Sequence, residues 1–282
     1  MNRRMISIVM LLALIFCLTA CGMFAAPTEP PTPPESVHTP PSSTPEPSVD
    51  PTEKEELPVD PVPDPEPSSE PETEPEHSEL YIEGLAVEDV ITYFNEVCLD
   101  GEYVHSGDPS VVQKWTEPIV YVLHGDPTEQ DLEVLRQFTV WLNNYPGFPG
   151  IYEQADAEYA NLQIYFCSLE ELHERMGHVE EDLDGMVTFW YNNDEIYDAT
   201  ICIRNDLDQD IRNSVILEEL YNGLGPIQDT QLREDSLIYA GYSAPQALTE
   251  IDELILKLLY HHDIRCGMNA EECEAVIRQL YY

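Results

Sequence analysis

The sequence predicts an α+β fold for its last two hundred or so residues: a mixed sheet, helices packed on it and a helical C-terminal part. Three observations carry this. Apolar residues from 80 onward switch between helical spacing and short strand-like runs. The strand-like runs are confined to residues 118–203. Beyond residue 209 the pattern is helical nearly to the end, so sheet and final helices separate along the chain.

The elements follow in order. Val90, Ile91, Phe94 and Val97 give Val87 to Leu99 a helical stripe. Pro118 to Leu123 is a β run closed by Gly125-Asp126-Pro127. Thr128, with Asp131 three residues on, opens a helix through Leu132, Leu135, Phe138 and Leu142, and Pro146 to Gly150 stops it. Strands follow at Ile151, Leu162 to Cys167, Met186 to Tyr191 and Tyr197 to Ile203, with a helix at Leu169 to Met176. Helices are expected from Gln209 to Leu224, from Leu248 to Tyr260 and from Asn269 to the end, the last opened by an Asn269/Glu272 capping box.

Upstream the composition changes. Arg3 and Arg4 precede an apolar run from Ile6 to Ala20, too short to span a bilayer and suited to a signal peptide over residues 1–20. Leu18-Thr19-Ala20-Cys21, followed by Gly22, resembles the lipobox of bacterial lipoproteins. That resemblance implies lipidation of Cys21 and anchoring to the extracytoplasmic face of a cell membrane by acyl chains. Residues 21–79 read as a stalk. From Pro27 to Glu79 there are 17 prolines, 15 acidic residues and no aromatic residue, a composition that stays disordered. Such a spacer reaches roughly 40 Å as a coil and about 160 Å extended. Residues 80–282 then form the single domain.

Charge excludes some functions. The chain carries a formal charge of −43, and residues 80–282 about −31, which repels phosphate backbones and rules against nucleic-acid partners. With Cys17 in the leader and Cys21 at the anchor, five cysteines remain, so complete pairing within the chain is impossible. Cys167 and Cys202 fall in strand runs as buried thiols, whereas Cys266 and Cys273 are spaced to bridge a loop to the last helix.

The segment richest in chemistry is Glu218-Glu219-Leu220-Tyr221-Asn222-Gly223-Leu224-Gly225. Zinc peptidases set two histidines four apart on one helix face, with a glutamate beside the first to activate water. Aligned on Leu224-Gly225, the metzincin pattern puts its catalytic glutamate on Glu219 and its three histidines on Glu218, Asn222 and Gln228. Ser236-Leu237-Ile238-Tyr239 resembles the matrixin Met-turn, with Ile238 for methionine. Leu248-Thr249-Glu250-Ile251-Asp252 through Leu259-Tyr260 resembles the last helix of that group. The zinc ligands are absent.

Several blocks are similar, in order, to a bacterial family rich in lipoproteins, domain of unknown function 2927. They are Phe94-Asn95-Glu96, Glu102-Tyr103, Lys114-Trp115 with Pro118-Ile119, Glu218-Glu219-Leu220, Leu224-Gly225, Asp229-Thr230, Ser236-Leu237-Ile238, Leu259-Tyr260 and Gly267-Met268. Asn222 stands where the family has Gln, and His261-His262 where it has Asp-Pro. Together the resemblances imply a zincin-like sheet and a cleft of Glu218, Glu219, Asn222, Gln228, Asp229 and Tyr239, floored by residues 236–245. They point to a non-catalytic domain that binds a peptide, protein or wall component. The competing reading is a hydrolase with Glu218 and Asp229 as metal ligands and Glu219 as base. A transporter's solute-binding lipoprotein is disfavoured by small size and the lack of two similar lobes.

Blander readings stand beside these. Two glutamates on a helix are by default a solvated pair, and Asp229 by default caps a turn. No cofactor is expected, although a hard cation such as Ca²⁺ suits carboxylates. Asp206, Asp208 and Asp210 lack the Gly and Glu of a calcium loop and better favour a helix N-terminus. His261-His262-Asp263 suits a helix end, His173 and His178 the surface, and Trp115, Trp141 and Trp190 the core.

Overall fold

The computed structural model describes residues 78–99, 110–155, 157–177, 183–241 and 244–282. Residues 1–77, and with them the leader, Cys21 and nearly all of the stalk, lie outside the described residues, as do Glu102, Tyr103 and His178. No described helix is long and apolar enough to cross a membrane.

The domain is mixed α/β, a largely parallel sheet with six helices. In chain order it runs α1 (Val87–Leu99), β1 (Lys114–Trp115), β2 (Ile119–Gly125), α2 (Glu129–Asn143), β3 (Ile151–Glu153), β4 (Leu162–Cys167) and α3 (Leu169–Met176). It continues with β5 (Gly185–Asn192), β6 (Glu195–Arg204), α4 (Gln209–Asn222), α5 (Glu250–Leu259) and α6 (Ala270–Leu280). Thr128 caps α2 as expected, in a capping box with Asp131, and Asn269 and Glu272 form the expected box of α6. The expected ends at Leu224 and Tyr260 retreat by one or two residues, the usual uncertainty of helix termini.

Across the sheet β3, β2, β4 and β6 are neighbours and parallel. β5 runs antiparallel to β6 and pairs with no other described strand, while β1 joins the start of β6. Asn193 and Asp194, both at positive φ, make the two-residue hairpin turn between β5 and β6, where such residues match the twist of the strands.

Alternation along the strands separates two faces. Val187 and Phe189 of β5, with Ala199, Ile201 and Ile203 of β6, join the large core built with α1, α2, α4, α5 and α6. Met186 and Cys202 point the other way and meet Leu172, Met176 and Cys167 beneath α3. Trp115 is buried as expected, but Trp141 and Trp190 are only partly covered, and His173 is half-buried rather than at the surface. Cys98, Cys167, Cys202, Cys266 and Cys273 are all free thiols. A Cys266–Cys273 bridge does not form: the Cys266 thiol faces the Lys114 carbonyl, and that of Cys273 faces the Met268 carbonyl.

Candidate functional site

Helix α4 is buried all round from Arg212 to Asn222, wedged between α2 and the β5–β6 hairpin. Its last turns carry Glu218, Glu219 and Asn222 at 7%, 2% and 0% exposure. This overturns the default reading of a solvated pair. Surface helices have a polar face, whereas α4 has packing partners on every side and its acids are enclosed with the rest.

Strand β5 comes very close to these acids. A Cβ at Gly185 would lie 2.5 Å from Val215 Cγ1 and 2.9 Å from both Cγ and Oε1 of Glu219, so only glycine admits the approach. Two residues on, the Val187 N–H donates to the Glu219 carboxylate. The other oxygen, Oε2, is buried with no hydrogen-bond partner.

Glu218 and Glu219 hold their protons well above the usual carboxylate range. Burial is the main cause for both, and the neighbouring charges reinforce it: Glu219, Asp229 and Asp184 at Glu218, and Asp229 at Glu219. Asp184 was not foreseen. It precedes β5 and is bound by Arg204 at 3.1 Å. Asp229, Gln228 and Tyr239 are partly exposed, so the acids grade from a half-open rim to an enclosed interior.

The rim is held by a separate set of bonds. Thr230 donates from Oγ1 to Glu96 of α1, and the Gln228 N–H donates to the Val97 carbonyl. Thr230 also bridges to Tyr239: its N–H donates to Ile238 O and its carbonyl accepts from Ala240 N. The turn at 236–239 is fixed by Asp252, which accepts from Ser236 Oγ at 2.7 Å, from the Leu237 N–H at 3.0 Å and from Thr249 Oγ1 at 2.7 Å. Tyr93 completes the set by donating to Ser236 Oγ.

The other motif residues are latches. Lys114 is buried and donates to the Leu259 and Ile264 carbonyls, and burial lowers its pKa to about 8. Trp115 Nε1 donates to Gly223 O, and Tyr260 OH donates to Leu224 O. Gly267 and Met268 pair with Val112. Gly225 sits at φ +128°, where a Cβ would come within 2.6 Å of the Gln113 carbonyl. Most of the pattern thus ties α4 and α5 to the sheet. Glu219 has one such bond, from the Val187 N–H, and among the described residues Glu218 has none.

Among the described residues, the one group of His, Cys, Asp or Glu whose ligand atoms converge within 4.8 Å is His261, His262 and Asp263. It lies in the turn after α5, with the His262 side chain 80% exposed. The oxygens of Glu218, Glu219 and Asp229 do not converge in this way. Asp208 is the α4 N-cap and Asp210 lies in its first turn, while Asp206 pairs with Arg204. Asp208 and Asp210 thus lie at the helix start, where negative charge is favoured, and Asp206 does not join them.

Fold and site together define a mixed α/β domain in which a buried helix presents two acids beside an antiparallel edge strand. Residues 87–279 match the family described as protein of unknown function (DUF2927), and the chain belongs to it. No curated protein matches the chain.

Proposed function

We propose that the chain is a lipid-anchored extracytoplasmic protein whose domain is zincin-like in architecture, lacks zinc ligands and works by binding a peptide, protein or wall component. In this reading Cys21 holds the chain to the membrane and the Pro/Glu-rich stalk presents the domain. The cleft runs along the end of α4, with Asp229, Gln228 and Tyr239 at its rim.

One observation carries the proposal. The helix positions that hold metal-binding histidines in zinc peptidases bear Glu218 and Asn222, enclosed on one helix face and next to Glu219. A carboxylate and an amide make a poor zinc set, because zinc favours imidazole and thiolate. The edge strand adds support for an extended ligand, since among the described strands β5 pairs with β6 alone and peptides commonly add to such an edge. The hydrolase reading, with Glu218 and Asp229 as ligands and Glu219 as base, is less well supported because those donor atoms do not converge.

Metal analysis of the purified protein before and after chelation, alongside a peptidase assay, tests this. The expected result is no stoichiometric zinc and no hydrolysis. Bound zinc lost together with peptidase activity contradicts it.

A further inference from the structure

Glu218 and Glu219 are both more than nine-tenths buried. No hydrogen bond or ion pair from a described residue reaches the Glu218 carboxyl, and Glu219 Oε2 has no partner. Carboxyl groups taken out of water in this way are costly, and native structures nearly always pair them. Among the described residues no lysine or arginine contributes to the field at either glutamate, and the charges that do are all acidic. Arg204, which binds Asp184, pairs with Asp206 as well. The site therefore offers carboxyl groups that meet the Val187 N–H at Glu219 but no base among the described residues.

We propose that the end of α4 receives an organic cation, a guanidinium or ammonium group carried on a peptide ligand, which passes Asp229 and Gln228 and pairs with Glu218 and Glu219. This rests on the peptide-binding reading above and names the ligand group that the site selects. A bare metal ion fits less well. Calcium binds oxygens at about 2.3–2.6 Å, so its ligands lie within roughly 5 Å of one another. The oxygens of Glu218, Glu219 and Asp229 do not all approach that closely. A guanidinium has five N–H donors spread over a planar fork and can serve separated carboxylates at once. Arginine is accordingly favoured over lysine, whose ammonium is a single compact charge.

Calorimetric titration of the full chain in detergent micelles tests the proposal with four probes: capped Ala-Ala-Arg-Ala-Ala, its citrulline counterpart, agmatine and calcium chloride. The arginine peptide is expected to bind at least about tenfold tighter than the citrulline peptide, as a desolvated charge pair implies. Agmatine should bind more weakly than the arginine peptide, and calcium should not displace it. Glu218→Gln and the double variant Glu218→Gln/Glu219→Gln should erase the preference while the circular dichroism spectrum is unchanged.

Equal binding of the two peptides overturns the cation proposal and leaves the peptide reading standing. Agmatine binding as tightly as the arginine peptide overturns carriage on a peptide. Calcium binding that excludes the arginine peptide overturns the choice of cation. Failure of both peptides to bind sinks this proposal and the peptide-binding reading together.

Discussion

Helix α4 carries buried ionisable groups at both ends, and the two ends are built in opposite ways. At its start Arg212 and Asp131 pair at 2.9 Å with side-chain exposures of 8% and 1%. Arg212 also donates to Asn205 O, Leu207 O and Gln209 Oε1, while Asp131 accepts from Gln209 and from the Thr128 N–H. Burial pushes the Asp131 carboxyl up, but Arg212, Thr128 and Gln209 outweigh it and hold the group below its ordinary value. At the other end, burial and like charge push Glu218 and Glu219 far up, with no base to answer them. Satisfied buried charge holds α2 to α4. The carboxyls at the other end of the helix meet no base among the described residues, only the Val187 N–H at Glu219, and are suited to a partner from outside.

The comparison breaks most severely at the paired end. Arg212→Leu leaves Asp131 buried and uncompensated and should cost about 3–5 kcal/mol in chemical denaturation. The cleft floor comes next. Asp252→Ala removes the acceptor shared by Ser236, Leu237 and Thr249. It should cost about 2–3 kcal/mol, given that each such bond to a charged group is worth about 1.5–3 kcal/mol and the losses do not add fully. The α6 cap gives the smallest change: Asn269→Ala should lose about 1 kcal/mol by opening its capping box.

The two ends also answer pH with opposite signs. Glu218 and Glu219 bind protons more tightly folded than unfolded. Their contribution is favourable below the unfolded glutamate value of about 4.3 and is lost as pH rises towards their raised folded values. The lowered Asp131 contributes stability above its unfolded value of about 3.9, and that is lost as pH falls through its folded value. Unfolding curves across a pH series should show the decline on the alkaline side flattened in Glu218→Gln/Glu219→Gln. An unchanged slope in that variant counts against the raised carboxyls.

Much of the fold was legible because most elements have one strong period. The stripe of α1, the capping boxes of α2 and α6, and the alternation of β5 and β6 all read directly from the chain. The two-residue β1 could not be read from periodicity, since Lys114 and Trp115 are too few to show one; only the family resemblance marked them. The candidate site was half legible. The order of Glu218-Glu219, Asp229-Thr230 and Ser236-Leu237-Ile238 pointed to it. The burial of α4 on every side did not show, because such a helix needs no apolar stripe and its acids look solvated. Asp184 gave no signal, since only the pairing of β5 with β6 brings it to α4. Asp252 stood in the resemblance to a last helix, but its grip on the turn at 236–239 is a tertiary fact.

The central claim is that Glu218 and Glu219 are kept for a ligand and not for stability. Denaturation of Glu218→Gln/Glu219→Gln against the unaltered chain at pH 7, without ligand, tests it most directly. The account predicts equal or greater stability for the variant, since two enclosed carboxyls without a base are replaced by neutral side chains of the same shape. A loss of about 2 kcal/mol or more, in the range of a broken buried interaction, would contradict it.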